Sequence, residues 1–197
     1  LGRYLGALQS VTPDEYAAWS DARKLAFWIN AYNAYAVWLI LTHHPIASIR
    51  KIGLLPGAAF RKDFIPMESL RGGELSLNDI EHEFLRKGFH EPRVHFVLNC
   101  ASASCPELPA RALSGATLDS TLDAAAHAFL NDVAKNRVVP NAEFGLSSIF
   151  KWYRADFEAA AGTLQAFVRC HWKGSGSIRA NAPIRFLDYD WSLNGHW

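Results

Sequence analysis

The sequence predicts an α+β fold in which a long buried helix and several further helices pack on a small, mostly antiparallel sheet. Residues 20–44 carry apolar side chains around most of the helix circumference, which is typical of a buried helix. Short apolar runs rich in β-formers are scattered among helical stretches, which favours α+β over α/β. Half of the 197 residues are hydrophobic. On folding, a chain of this length buries about 70% of the surface that its unfolded form exposes, which is enough for a core without disulfides or metals.

Two helices are expected before residue 45. Residues 12–15 supply a threonine N-cap, a proline for the first turn and a capping-box glutamate, which predicts a short helix over 12–19. The long helix should follow, over 20–44. Asn30 and Asn33 lie on one face of it, and their amides need partners because an unpaired buried amide costs about 1–3 kcal/mol.

Residues 45–72 are rich in proline and glycine and predict a long surface connection with short strands. A helix capped by Ser76 and Asp79 should then run to Gly88. Residues 93–99 are apolar and rich in β-formers, so we expect a buried strand there. A loop of small residues should follow over 100–109.

The C-terminal half predicts helices over 118–134, 147–161 and 163–172, and strands over 137–139 and 184–191. Residues 174–177 are expected to form a flexible turn. No composition shift or repeat divides the chain, so we expect residues 1–197 to form a single domain.

Charge and cysteine content exclude several classes of protein. A net charge of +1 lacks the electrostatic footprint of a nucleic-acid binder. No uncharged apolar run approaches the ~20 residues of a transmembrane helix, so no transmembrane segment is expected. Three cysteines leave at least one thiol unpaired within the chain. The chain begins with Leu1 rather than Met, which suggests a trimmed or processed product in which a signal peptide would not be visible.

The segment over residues 95–106 could carry chemistry, because a buried strand would lead into a small-residue loop with two thiols, Cys100 and Cys105. A nucleophilic thiol needs a neighbouring base, since a free thiol is only a few per cent thiolate near neutral pH. His82 and His95 are the candidates. On the expected strand, His95 would share a face with Arg93 and Val97.

Structural roles compete with this interpretation. Free cysteines often pack as small hydrophobic residues, a lone His95 on an apolar strand is often a core histidine, and Cys100 and Cys105 could form a disulfide in an oxidising compartment. A zinc site from His82, His95 and the two cysteines has suitable ligand types, but the C-x4-C spacing is unlike common zinc modules. We therefore expect no metal and no other cofactor.

Five segments together resemble one family, the bacterial and plant domain of unknown function 547. They are residues 26–34 (AFWINAYNA), 80–82 (IEH), 92–106 (PRVHFVLNCASASCP), 149–157 (IFKWYRADF) and 189–194 (YDWSLN), and the similarity spans about residues 25–194. The polar positions of the pattern are matched by Asn30, Asn33, His82, Arg93, His95, Cys100, Ser104 and Cys105.

The resemblance carries expectations about fold and compartment. A long buried helix followed by strands that carry histidine resembles papain-like and transglutaminase-like thiol enzymes. Those enzymes place the cysteine at the start of the central helix, whereas the helix here carries Asn30 and no thiol. Members of the family often follow export signals, so a periplasmic or secreted location is expected.

Two functional hypotheses result. The first is a thiol-dependent hydrolase or acyl transferase acting on an amide or peptide-like bond of a small-molecule or peptide substrate. The second is a non-catalytic ligand- or peptide-binding scaffold with a structural Cys100/Cys105 pair. In the first, the nucleophile is Cys105, slightly preferred over Cys100; the base is His82 or His95; Asn30 or Asn33 orients the base or stabilises an oxyanion; and Arg93 and Ser104 bind substrate.

Overall fold

The long helix α3, Asp21–His43, forms the centre of the structure, as predicted. The computed structural model describes residues 1–139, 143–174 and 178–195, so most of the expected 174–177 turn lies outside the described residues. Ser20 caps α3 by accepting a hydrogen bond from the Arg23 backbone N–H at 3.3 Å. By length and composition α3 could cross a membrane, but 72% of its apolar window is buried inside the fold. That burial suits a core helix and agrees with the expected absence of a transmembrane segment.

The described residues form helices and two small sheets of short strands, which confirms the predicted α+β class. The α-helices are α1 (Gly2–Gln9), α2 (Pro13–Ala17), α3, α4 (Ala58–Arg61), α5 (Glu68–Arg71), α6 (Lys87–Phe89), α7 (Leu118–Asn131), α8 (Ile149–Trp152), α9 (Arg154–Ala161) and α10 (Leu164–His171). A π-helix spans Asp79–Arg86, and 3₁₀ turns span Ile49–Lys51, Pro92–Phe96 and Gly115–Thr117. The strands are β1 (Ile65–Pro66), β2 (Glu74–Leu75), β3 (Arg137–Val138), β4 (Phe144–Leu146) and β5 (Ile184–Phe186).

The strands form two small sheets. β1 pairs antiparallel with β2, and β4 lies between an antiparallel β3 and a parallel β5. Two apolar clusters fill the interior: one surrounds α3, and the other joins α7, α9, α10 and β4 through a set of phenylalanines. Those phenylalanines are Phe96, Phe129, Phe144, Phe150, Phe157 and Phe167.

The prediction of a strand over residues 93–99 is wrong. The structure has the 3₁₀ turn Pro92–Phe96 there, because proline fixes a helical φ at the first position and Glu91 caps the turn by accepting from the Arg93 N–H at 3.0 Å. His95 therefore does not share a strand face with Arg93 and Val97. Arg93 instead forms ion pairs with acidic side chains outside the core, while His95 is buried.

Residues 45–72 are more structured than a surface connection, since they contain α4, α5 and a 3₁₀ turn and bury Ile49, Ile65 and Met67 completely. The capping box at Ser76 is confirmed. Its hydroxyl accepts from the Asp79 N–H at 3.1 Å, and Asp79 accepts from the Ser76 N–H at 2.8 Å. The helical segment that follows widens to a π-helix, a geometry found often at functional sites.

Candidate functional site

The two cysteines lie at the ends of a loop that Asn99 closes. The Asn99 side chain accepts from the Ala101 N–H at 2.7 Å and donates to the Pro106 carbonyl at 2.8 Å. Ala101 lies in the left-handed region with φ 60°, which turns the chain back on itself. The loop thus folds so that the Cys100 N–H donates to Cys105 Sγ at 3.0 Å.

The C-terminal segment covers this loop and brings an aromatic hydroxyl to it. Ala103 donates to the Ser192 carbonyl at 2.7 Å, and the Ser104 hydroxyl accepts from the Asp190 N–H at 2.9 Å. This pairing places Tyr189 beside both thiols, with its hydroxyl 3.2 Å from Cys105 Sγ and 3.5 Å from Cys100 Sγ. Ser104 therefore holds the segment that carries Tyr189.

The thiols of Cys100 and Cys105 differ in pKa. Both are free, as is Cys170. Burial alone would raise the pKa of Cys105, but hydrogen bonds from the Cys100 thiol, the Tyr189 hydroxyl and nearby backbone N–H groups lower it to about 7. The pKa of Cys100 is raised well above its usual value, because it shares its proton with Cys105 and is itself buried. Cys105 is therefore the thiol that ionises near neutral pH.

His95 forms a second polar cluster with Asp156 and Arg86. The His95 Nε2 lies 2.8 Å from Asp156 Oδ2, and Arg86 donates to both carboxylate oxygens, at 2.6 and 2.8 Å. Burial would raise the pKa of Asp156, but the hydrogen bonds from Arg86 and His95 hold it well below its usual range. The imidazole also stacks on Tyr153, with ring centroids 3.7 Å apart. These contacts fix both the position and the orientation of the imidazole.

His82 and Glu81 project from the π-helix towards the same region. Arg86 Nη1 lies 3.0 Å from His82 Nδ1, and because an arginine can only donate, His82 accepts through that nitrogen. Burial raises the pKa of Tyr153, and the neighbouring Glu81, which accepts a hydrogen bond from the tyrosine, raises it further. Tyr153 thus stays protonated between Glu81 and the His95 ring.

A cavity of about 170 Å³ joins these groups. It brings together four of the predicted site residues: Cys100, Cys105, His82 and His95. The remaining lining is Tyr32, Phe60, Asn78, Glu81, Leu98, Pro106, Ile149, Trp152, Tyr153, Tyr189 and Trp191.

The structure does not bring Asn30 or Asn33 to this lining. Asn30 uses both ends of its amide on the Leu113 backbone, at 2.9 and 2.8 Å. Asn33 donates to the Val97 carbonyl at 2.7 Å and accepts from the Asn99 N–H at 2.9 Å. Asn33 therefore positions the start of the cysteine loop from α3 and acts on the site through Asn99.

Arg93 also lies outside the cavity lining. Its guanidinium pairs with Glu91 at 2.7 Å and with Asp119 at 2.8 Å. These contacts tie the 3₁₀ turn to the start of α7 and leave Arg93 beside acidic side chains rather than beside the thiols.

The structure adds Asp156, Arg86, Glu81, Tyr153 and Tyr189 to the site, and sequence reasoning assigned no role to them. Asp156 meets His95 across 61 residues of chain and Tyr189 meets Cys105 across 84, so no local spacing could pair them. For Glu81, Tyr153, Asp156 and Tyr189, the available signal was their presence in the short segments that carry the family resemblance; Arg86 lies outside those segments.

Replacing Asn33 with alanine should destabilise the protein by about 3 kcal/mol, because the Val97 carbonyl and the Asn99 N–H would lose their buried partners. It should also slow alkylation of Cys105, whose loop Asn99 shapes. Urea unfolding and mass-spectrometric labelling measure the two effects. Asn30→Ala is the matched control: it removes two comparable bonds to Leu113 and should leave Cys105 labelling unchanged. Equal labelling in both variants would contradict the role of Asn33.

A family model described as "Protein of unknown function, DUF547" matches residues 16–130, more than half of the chain. The matched region contains both cavity cysteines and both cavity histidines, whereas Asp156 and Tyr189 lie beyond it. Comparisons with the curated proteins and with the solved structures gave no match. The papain-like part of the fold expectation is therefore not confirmed.

Proposed function

The chain belongs to the DUF547 family, whose description names no activity, and we propose from the cavity that it is a thiol-dependent hydrolase or acyl transferase. Its substrate would contain an amide or peptide-like bond. One observation carries the proposal: a thiol with a pKa of about 7 shares a small cavity with an imidazole that is oriented by a carboxylate. Nucleophile, base and orienting group are the parts that covalent acyl-transfer catalysis requires.

Cys105 is the proposed nucleophile because its sulfur receives the hydrogen bonds. The Cys100 N–H and the Tyr189 hydroxyl both donate to it, and such donors stabilise a thiolate. Cys100 has the opposite environment and keeps its proton. Its role in the proposal is to donate to Cys105.

His95 is the proposed base in preference to His82. The low pKa of Asp156 keeps that carboxylate ionised, so His95 Nε2 must carry the proton that it shares with Asp156. Its Nδ1 then keeps a lone pair that can accept a proton. His82 directs the lone pair of Nδ1 to Arg86, so its neutral ring carries its proton on Nε2.

The proposed reaction proceeds in two steps. His95 Nδ1 takes the proton of the Cys105 thiol, and the resulting thiolate attacks the substrate carbonyl carbon. A C–S bond forms, and the C–N bond breaks as the leaving amine takes that proton back from the His95 imidazolium. In the second step His95 takes a proton from water, or from an acceptor amine, which attacks the thioester and releases the Cys105 thiolate. Asn78 lines the cavity, and we assign to its amide the orienting or oxyanion-stabilising role that was expected of Asn30 or Asn33.

The size of the cavity limits the substrate. About 170 Å³ is smaller than the 300–1,000 Å³ typical of a site that encloses a whole drug-sized ligand. The cavity therefore suits only the reacting end of a substrate, such as a short acyl group. A larger groove of about 790 Å³ lies between residues 106–114 and α7, and Pro106 lines both spaces. The rest of a longer substrate would lie in this groove.

Iodoacetamide labelling across pH tests the nucleophile. Because the pKa of Cys105 is lowered to about 7, its alkylation rate should rise to half its maximum near pH 7, whereas a thiol with an ordinary pKa does so above pH 8. Mass spectrometry of the digested protein assigns the rate to each cysteine. The exposed Cys170 serves as the internal reference. A Cys105 midpoint at or above that of Cys170 would refute the thiolate assignment.

A second pair of variants tests the source of the low pKa. Cys100→Ala removes a donor to Cys105 and should raise the labelling midpoint by about one pH unit, since a hydrogen bond to a charged group is worth about 1.5–3 kcal/mol. Cys100→Ser keeps a donating hydroxyl and should shift it less. Tyr189→Phe should also raise the midpoint.

A second candidate function is binding without catalysis, and the groove is the observation that favours it. Its walls include Phe96, Val97, Leu108, Leu113 and Phe129, which suit an apolar side chain of a peptide ligand. Binding of the fluorescent probe 8-anilinonaphthalene-1-sulfonate, blocked by Ala128→Trp, would support a usable groove. If Cys105 is also unreactive, binding becomes the better description of the function.

A further inference from the structure

A second group of polar side chains lies on the contact between α7 and the end of α10. Asp123 and His127 are one turn apart on α7, and His171 is the last residue of α10. Within the described residues, these three form the one group of three or more histidine, cysteine or acidic side chains whose ligand atoms all lie within 4.8 Å of one another. None of the three lines the thiol cavity.

The spacing of the ligand atoms suits a metal ion better than direct hydrogen bonds. Asp123 Oδ2 lies 3.7 Å from His127 Nε2, and Asp123 Oδ1 lies 3.6 Å from His171 Nδ1. Both distances exceed those of normal hydrogen bonds. Ligands held 2.0–2.1 Å from a tetrahedral Zn²⁺ are separated by about 3.3 Å, so small side-chain movements would complete the geometry.

His171 provides an independent sign of a missing partner. Its Nδ1 is a buried side-chain nitrogen without a hydrogen-bond partner among the described residues, and such a group is costly unless it is satisfied. A neutral imidazole nitrogen is a metal ligand.

His127 is already held in the orientation of a ligand. Its Nδ1 hydrogen-bonds the His171 carbonyl oxygen, and this leaves Nε2 to face Asp123. Metal-bound histidines commonly donate their second ring N–H to a backbone carbonyl. Asn131 reinforces the arrangement by donating to the His127 carbonyl at 2.7 Å.

We propose that Asp123, His127 and His171 form a binding site for a divalent transition-metal ion of the Zn²⁺ class. Two imidazoles and one carboxylate match the donor preference of zinc and leave a fourth position for water. Arg93 Nη1 lies 3.5 Å from Asp123 Oδ1, and it also pairs with Glu91 and Asp119, so the carboxylate keeps Oδ2 for the metal. The ion would join the end of α10 to α7.

Metal titration of the whole chain tests the site. Zn²⁺ should bind with one-to-one stoichiometry in calorimetry and raise the Tm, because an ion that binds only the folded state stabilises it. Co²⁺ should give visible bands of a four- or five-coordinate site without thiolate charge-transfer absorption. We expect Zn²⁺ binding to weaken by at least about 100-fold in each of three variants: His127→Gln, His171→Gln and Asp123→Asn. His43→Gln, on α3, is the matched control and should change nothing.

The alternative to this site is Zn²⁺ binding by the thiols of Cys100 and Cys105. If Zn²⁺ binding persists in the three variants but is lost in Cys100→Ser or Cys105→Ser, the metal binds the thiols and the proposal is wrong. Absence of binding below millimolar Zn²⁺ would also overturn it. Asp123 is half exposed, so its variant should fold and keep the test informative if a histidine variant does not. Circular dichroism checks the fold of each variant.

Discussion

Replacing Cys105 with alanine should abolish acyl-enzyme formation with 4-nitrophenyl acetate, a probe whose short acyl group fits a cavity of about 170 Å³. Wild-type protein should release a burst of nitrophenolate and carry an acetyl group on Cys105. Loss of the nucleophile should reduce the burst rate by on the order of a thousandfold or more. Cys100→Ser should keep most of the burst, because a serine hydroxyl can still donate to Cys105.

Two controls make this result specific. Cys170 is exposed and could react slowly with the probe, so the comparison is made in a Cys170→Ser background. A reductant keeps Cys100 and Cys105 as thiols, since the pair could close to a disulfide in an oxidising compartment. If Cys100→Ser loses the burst and Cys105→Ala keeps it, Cys100 is the nucleophile. If both variants keep it, thiol catalysis is wrong.

The helices were predictable where local chemistry decides them. The Thr12 cap and the Ser76–Asp79 capping box predicted where helical segments begin, and the structure has both. The central helix was evident because apolar residues surround it. Residues 93–99 were misassigned because an apolar composition suits a strand and a buried turn equally. The turn forms because Pro92 fixes a helical φ and Glu91 caps it. The short β4 was missed because a run of three residues is too short to show a strand pattern.

The site was predictable only in part, for a related reason. The thiols lie five residues apart, so their proximity follows from one loop, and the need for a base directed attention to the cavity histidines. The asymmetry between Cys100 and Cys105 could not be predicted, because Tyr189 arrives from the far end of the chain. Asn30 and Asn33 had the right residue type for an orienting amide, but a buried helix uses them to bind loop backbone.

Replacing Asp156 with asparagine should have the second largest effect, and it should act on both stability and activity. Arg86 would lose a bidentate partner that is only partly exposed, which should cost about 3 kcal/mol at pH 7. The neutral amide would no longer require His95 to keep its proton on Nε2. In serine triads, loss of the orienting carboxylate costs about 10⁴-fold in rate. We expect a comparable loss of the nitrophenolate burst.

The pH dependence of unfolding separates this interaction from a packing effect. Because the folded-state pKa of Asp156 lies below its unfolded value of about 3.9, its contribution to stability is complete well above pH 4 and is lost as the pH falls through the folded-state pKa. The stability difference between wild type and Asp156→Asn should therefore be constant from pH 6 to 8 and shrink below about pH 4. Urea unfolding at each pH measures it. Asp119→Asn, at a largely exposed carboxylate on Arg93, is the matched control and should change little. A difference that stays constant into acid would mean that the Asp156 carboxylate does not anchor Arg86, and an unchanged burst would mean that it does not orient His95.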